Sequence, residues 1–212
     1  MATMGANGLT RRRIVALVML LVALTVAGAL AYRHSIQPRT SVDRDGRYRL
    51  LSSDGTLFDR ASLRGHPYLA YFGYTHCPDI CPAMLAQLVE ARKRLGLSDR
   101  DLRIVFISID PERDTPSRLA QFIALLNGPV IALTGDPGVI SAVADSAAVY
   151  VKRVPSGDGS YAIEHTTSVF VYDRNGDFFD TIQPDAGREA ILAKIRGVMA
   201  DPLPAKPAHA AT

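Results

Sequence analysis

Cys77 and Cys81 are the only cysteines of the chain, set four residues apart in the run Thr75-His76-Cys77-Pro78-Asp79-Ile80-Cys81-Pro82. At that spacing the two sulfurs fall on one face of a helix, or of the loop leading into it, close enough to share a bond or a metal ion. A helix starting near Ile80 would aim its unsatisfied N–H groups and the positive end of its dipole at both sulfurs, which favours thiolate over thiol. A thiolate is both the nucleophile of disulfide exchange and a soft metal ligand, so the pair predicts one of those chemistries. The plain alternative is a structural disulfide, the ordinary fate of paired cysteines in an exported domain. A loop this short removes little entropy from the unfolded chain, which weakens that alternative.

A third donor would separate a metal site from a redox pair. Of the five histidines, His34, His66 and His209 fall in a tether, a turn and a tail, where solvation is the expectation. His76 is adjacent to Cys77, so its side chain should point away from the sulfur. His165 immediately precedes a strand expected from Ser168 to Tyr172. If that strand runs antiparallel to Tyr68–Tyr74, its beginning lies at the end of its neighbour, beside the cysteines. The alternative for His165 is a capping or hydrogen-bonded surface imidazole.

The elements that must position these residues follow from apolar spacing and turn residues. Tyr68–Tyr74 reads as a buried strand running into the cysteine loop, and Ile80–Leu95 repeats apolar residues at helical spacing up to Gly96. Leu102–Ile109 is a second strand; Thr115-Pro116 opens a helix through Leu126, and Asp136-Pro137 caps another to about Ala147. Val130–Leu133 and Val149–Val154 are further strands, and a final helix is expected over Pro184–Met199. Hairpins are expected at Ser53-Asp54-Gly55 and at Asp173-Arg174-Asn175-Gly176, the latter joining the Ser168 strand to Phe178–Ile182. Strands alternating with helices, then a late hairpin, predict an α/β sheet of mixed strand direction. The Asp173 segment also begins like a calcium loop, but no glutamate follows at its twelfth position, which leaves a hairpin turn. Asp110, Glu112 and Asp114 read as groups that cap and solvate the helix after them, with partner docking as the alternative.

Composition excludes several classes. A chain of 212 residues, 48% apolar, can bury a core without disulfides and is too apolar to be disordered. The net charge of +3 is misleading, because residues 1–39 hold five arginines and no acid, leaving 19 basic and 21 acidic groups in the remainder. That mildly acidic body offers no basic stripe for phosphates, so nucleic acid is set aside. Ile14–Tyr32 is apolar at 17 of 19 positions, long enough to span a bilayer, with Arg11-Arg12-Arg13 holding its N-terminal end in the cytoplasm. Ala29-Leu30-Ala31 would suit signal-peptide cleavage, but the run exceeds the ~7–15 residues of a signal core, which favours an uncleaved anchor. Thr10-Arg11-Arg12 also weakly resembles a twin-arginine export signal. Too few residues precede the arginines for a transit peptide, so the expected place is a bacterial inner membrane, single pass, with the soluble domain in the periplasm. The expected organisation is thus 1–13 cytoplasmic, 14–32 anchor, 33–46 tether, 47–199 globular domain and 200–212 flexible tail.

Leu69–Pro82 (LAYFGYTHCPDICP), Ser108–Pro116 (SIDPERDTP) and Glu164–Asp173 (EHTTSVFVYD) together resemble, in order, the signature blocks of the Sco (SenC) family of membrane-anchored copper proteins that help assemble cytochrome c oxidase. The resemblance covers about residues 45–199. It implies a thioredoxin-like sheet flanked by helices, with Cys77, Cys81 and His165 binding one copper ion as Cu(I) or Cu(II), and it places Asp110 near that site. It also implies a metallochaperone rather than an enzyme, with the dinuclear copper site of cytochrome c oxidase subunit II as recipient and periplasmic copper donors and thiol reductants as further partners. Two thiolates and an imidazole suit Cu(I), a soft ion content with three ligands. The competing function is a thiol-disulfide oxidoreductase using Cys77 and Cys81. Against a general one stand the C-x-x-x-C spacing and Thr167, which occupies the position where many thioredoxin-like oxidoreductases carry a cis-proline. A peroxidase is disfavoured because the loop lacks a threonine-rich approach to its cysteine.

Overall fold

The computed structural model describes residues 6–36, 40–43, 47–157 and 159–201. Two compact units divide the chain, Met1–Pro38 and Arg39–Thr212. In the first, helix α1 runs over Ala6–Ile36, and its described apolar side chains, among them Ile14, Leu17, Leu20, Leu24 and Val26, are exposed. Among the described residues no helix is long and apolar enough to cross a membrane; the described side chains of α1 are those of 14–29.

The second unit opens with β1 (Ser41–Val42), β2 (Tyr48–Ser52) and β3 (Leu57–Asp59), then β4 (Tyr68–Gly73), helix α2 (Ile80–Arg94) and β5 (Arg103–Ser108). Helix α3 (Pro116–Ala124), β6 (Ile131–Thr134) and α4 (Pro137–Ser146) follow, then β7 (Val151–Pro155), β8 (Tyr161–His165), β9 (Val169–Tyr172), β10 (Phe178–Ile182) and α5 (Arg188–Ala200). Among the described residues the main sheet has the order β1-β2-β6-β5-β4-β9-β10, with β3 on β2. β4, β5 and β6 are parallel, whereas β9 runs antiparallel to β4 and β2 antiparallel to β6. The expected mixed α/β sheet is therefore present.

Strand β4 shows why its sequence is almost continuously apolar: all six residues are buried, because both faces of the sheet are covered. Leu69 and Tyr71 join Leu85 and Leu88 of α2 and Ile191 and Ile195 of α5 in one core, while Tyr68, Ala70 and Phe72 face Ile140, Val143 and Ala144 of α4 in the other. The two proline-led helices are capped as their sequences foretell. Thr115 accepts from the Arg118 N–H, and Asp136 accepts from the N–H groups of Gly138 and Val139. Gly96 takes φ +68° just past α2, the left-handed stop that glycine allows.

Three features depart from expectation. Ser41–Val42, inside the segment 33–46 read as a tether, pairs with β2, and the Thr40 hydroxyl accepts from the Asp136 N–H, so this stretch belongs to the sheet. The strand expected at Val149–Val154 starts at Val151 and, among the described residues, joins no part of the main sheet. It pairs instead with β8, a strand the sequence did not signal, in a separate two-stranded sheet. Only Ile163 of β8 is buried, so the segment carries no apolar run to betray it. Finally, α5 begins at Arg188 rather than Pro184, because Gly187 is still extended (φ −63°, ψ 158°). The tail beyond Asp201, with His209, lies outside the described residues, as do the side chain of His34 and residues 1–5 of the expected cytoplasmic segment.

Candidate metal centre

The two cysteines stand where a buried strand gives way to a helix. Cys77 lies in the loop between β4 and α2, its N–H donating to the Tyr74 carbonyl at 3.2 Å. Cys81 is the second residue of α2, and its N–H donates to Cys77 Sγ at 3.4 Å. A helix-terminal N–H directed at a sulfur stabilises negative charge there. Both thiols are free; Cys77 is half-buried and Cys81 has no exposed surface. Burial pushes the Cys81 thiol up to about 12, with the adjacent Cys77 adding to the shift. This corrects the expectation that the helix terminus favours thiolate at both positions: for Cys81 desolvation outweighs the dipole. Tyr71 places its hydroxyl 3.6 Å from Cys81 Sγ, a donor for that sulfur from within the core.

The close approach of α2 to β4 requires Gly73. A Cβ there would sit 2.9 Å from both Cys81 Sγ and Phe106 Cε2. Tyr71 and Gly73 lie inside the quoted Leu69–Pro82 block, but neither carries a donor type that would single it out.

His165 is the last residue of β8. Its Nδ1 lies 2.8 Å from the Thr166 carbonyl, which can only accept, so Nδ1 holds the proton and Nε2 keeps its lone pair. Burial holds the imidazolium pKa below its ordinary value, favouring the neutral, ligand-competent ring. The ring packs edge-on to Tyr74, centroids 5.9 Å apart. The antiparallel register expected of β9 on β4 holds, with Ala70 opposite Phe170 and Tyr68 opposite Tyr172, so the start of β9 lies toward the cysteine end of β4. A cavity of about 390 Å³ is walled by Cys77 and His165 together with Tyr74, Ile80, Glu164 and Thr167. Cys77 and His165 thus face one space, and Cys81 lies behind Cys77 in the core. A larger cavity, about 660 Å³ beside Tyr48, Tyr68 and Tyr172, is lined by no cysteine or histidine.

The tightest grouping of ligand-type side chains is a different one. His76, Asp110 and Asp114 hold donor atoms all within 4.8 Å of one another, a convergence that Cys77, Cys81 and His165 do not match among the described residues. Hydrogen bonds already occupy both carboxylates. Asp114 accepts from the Thr75 N–H (2.9 Å), the Thr75 hydroxyl (2.6 Å) and the Ser108 hydroxyl (2.6 Å). Asp110 accepts from Arg113 Nε and, at 2.7 Å, from the Tyr161 hydroxyl. Both are fully buried, correcting the reading of these acids as solvated helix caps. Their task is to tie the cysteine loop and β8 to the end of β5. His76 is exposed, 3.9 Å from Asp114, and His66 bonds the Arg100 carbonyl in an exposed turn.

The donor set therefore offers one accessible sulfur, one buried sulfur and a neutral imidazole, a combination suited to a soft metal ion or to thiol exchange at Cys77. Residues 36–200 match the SCO1/SenC family model. An SCO2-like protein of Rickettsia prowazekii is 36% identical over 149 residues, which cover 69% of this chain and 73% of the relative. The copper-bound structure of Bradyrhizobium japonicum ScoI superposes with a TM-score of 0.64 at 34% identity, covering 72% of this chain and 97% of that one. BsSco, described as a member of the Sco family of cytochrome c oxidase assembly proteins and studied for a disulfide switch, superposes with a TM-score of 0.60 at 27% identity, over 76% of this chain and 94% of that one. The match extends from the end of α1 through α5, taking in the thioredoxin-like sheet and all three motif blocks, and the chain belongs to the SCO1/SenC family.

Proposed function

We propose that this protein is a copper metallochaperone that carries one copper ion on Cys77, Cys81 and His165 and delivers it to the dinuclear copper site of cytochrome c oxidase subunit II. The observation that carries this reading is the shared cavity of Cys77 and His165 with Cys81 adjoining, in a chain whose relative ScoI is known with copper bound. Copper is the cargo here. Cys77 is the accessible first contact. Cys81 becomes a ligand by losing its proton to solvent as its sulfur binds the metal, so loading releases protons. Because the free Cys81 thiol is pushed up to about 12, it takes a proton back once an incoming thiolate displaces it, which favours release over rebinding.

The 14–32 segment serves in this proposal as the membrane anchor, supported by its apolar run and by arginines 11–13 on its flank. It holds the domain on the periplasmic face of a bacterial inner membrane, within reach of copper donors and thiol reductants. A second reading, reduction of the recipient's cysteines by Cys77 and Cys81, is favoured by the pairing of an accessible thiol with a buried one. One experiment separates the two: the Cu(I)-loaded chain is mixed with apo subunit II fragment and the metal followed. Copper moving to the fragment is the expected result. No transfer, with reduction of a fragment disulfide, would establish the second reading.

A further inference from the structure

The strand that carries His165 has little to stand on. β7 and β8 pair only with each other among the described residues, and Ile163 is their only buried residue. A lone two-stranded hairpin is marginal in water. Its alternation is nevertheless informative: Tyr161, Ile163 and His165 share one face, as residues two apart in a strand must, and each is less exposed than Ala162 and Glu164 between them. That face is held at both its far end and its middle.

At the far end, Arg113 donates through Nε to Asp110 and through Nη1 to the Tyr161 carbonyl at 3.0 Å, and its guanidinium lies 3.7 Å from the centre of the Tyr161 ring. The Tyr161 hydroxyl closes the loop by donating to Asp110 at 2.7 Å. Arg153 of β7 also stacks on that ring, at 4.8 Å, and pairs with Glu112 at 2.9 Å. In the middle, the Ile163 N–H donates to the Tyr74 hydroxyl at 3.4 Å. The Tyr74 ring in turn lies 5.9 Å from the Arg113 guanidinium and 5.9 Å from the His165 ring.

We propose that Arg113 and Tyr161 are positioning residues for metal capture: they latch β8 to the Asp110–Arg113 turn so that its far end cannot swing and His165 stays opposite Cys77. The proposal rests on the reading of Cys77, Cys81 and His165 as the copper site. Arg113 suits the task because its planar fork serves a carboxylate, a carbonyl and an aromatic face at once, which a lysine cannot do. Without the latch the hairpin would keep Ile163 on Tyr74 and the exposed Arg153–Glu112 pair, and a tilt about Ile163 moves His165, two residues on, out of the cavity.

The test uses the full chain with Arg113→Ala, Arg113→Lys and Tyr161→Phe. In the metal-free protein, amide hydrogen exchange of residues 151–165 should accelerate in all three, with β4 and β5 amides unchanged. In the Cu(II) form, the nitrogen hyperfine splitting from His165 should weaken or vanish while sulfur-to-copper absorption persists, and copper affinity should fall about 10- to 100-fold in Arg113→Ala, as is usual when an outer support of a metal ligand is removed. Lysine should not rescue. Unchanged exchange in the hairpin overturns the latch. Faster exchange with unaltered hyperfine splitting and affinity reduces it to a structural contact and overturns the positioning role. If Arg113→Ala does not fold, Tyr161→Phe, which loses one hydroxyl, gives the same readouts. Failure of the underlying site reading is distinguishable, because His165→Ala would then bind copper like the parent.

Discussion

The contact between β4 and the start of α2 is packed too closely for a side chain at Gly73, and it yields a quantitative prediction for Gly73→Ala. The added Cβ would lie 2.9 Å from Cys81 Sγ, 2.9 Å from Phe106 Cε2 and 3.5 Å from Phe106 Cζ. Ordinary contact between such atoms is about 3.5–4.0 Å, so one or both neighbours must retreat by roughly 0.5–1 Å. Neither has room, since Cys81 and Phe106 both have no exposed surface and belong to the same packed core. Overpacking of this kind costs about 1–3 kcal/mol, which for a domain of this size lowers the melting temperature by about 2–12 °C. The displaced sulfur would also leave the Tyr71 hydroxyl, so Cys81 should alkylate faster and the Cu(II) charge-transfer band should shift. Gly157→Ala is the matched control: a Cβ there meets nothing within 4 Å, and stability should hold or rise slightly. Thermal unfolding of the metal-free protein by circular dichroism, with timed thiol alkylation, measures both effects. A Gly73→Ala protein that melts with the parent and alkylates at the parent rate would refute the packing argument.

Other outcomes follow from the same geometry. His165→Ala should weaken copper binding while leaving alkylation of Cys77 intact, measured by competition with a Cu(I) chelator; unchanged affinity would remove His165 from the site. Asp114→Ala strands the buried Thr75 N–H without an acceptor, a loss of about 1–3 kcal/mol in urea unfolding, and should raise the reactivity of Cys77 two residues on. At high pH, the raised Cys81 pKa means the folded chain keeps a proton that the unfolded chain releases, so this contribution is complete below about pH 9 and lost as pH rises toward 12. Cys81→Ala should flatten that fall, although Tyr48 and Tyr71, also pushed up by burial, leave a residual slope. At low pH the sign reverses for His165: its folded pKa lies below the ordinary imidazole value near 6.5, so stability is complete above that pH and declines below it. His165→Gln should remove that decline in an acid titration of unfolding.

Much of the fold is legible along the chain because local signals and burial agree there. Residues Tyr68–Gly73 are apolar throughout, since both faces of that strand are covered, and Thr115-Pro116 and Asp136-Pro137 announce helices whose caps form as those residues demand. The cysteine pair and the turns that frame it are equally visible, as is the antiparallel return of β9, whose start, just after His165, lies toward the cysteines. β8 escapes notice for the opposite reason: with one buried residue it carries no apolar run, and its stability comes from Arg113, Asp110 and Tyr74, groups between 48 and 89 residues away in the chain.

What the sequence by itself determined is the inventory and the local geometry: two thiols four residues apart at a helix entrance, a distant histidine, and strands and helices in an order that brings them near one another. Tertiary structure alone decided how unlike the two thiols are, because burial is a property of the neighbours packed around a group and not of the group. Cys81 is sealed between Tyr71, Gly73 and Phe106 and held protonated, while Cys77 opens on a cavity it shares with His165. The carboxylates that read as solvated caps became buried fasteners for the same reason, their hydrogen-bond donors arriving from strands and loops that only folding sets beside them.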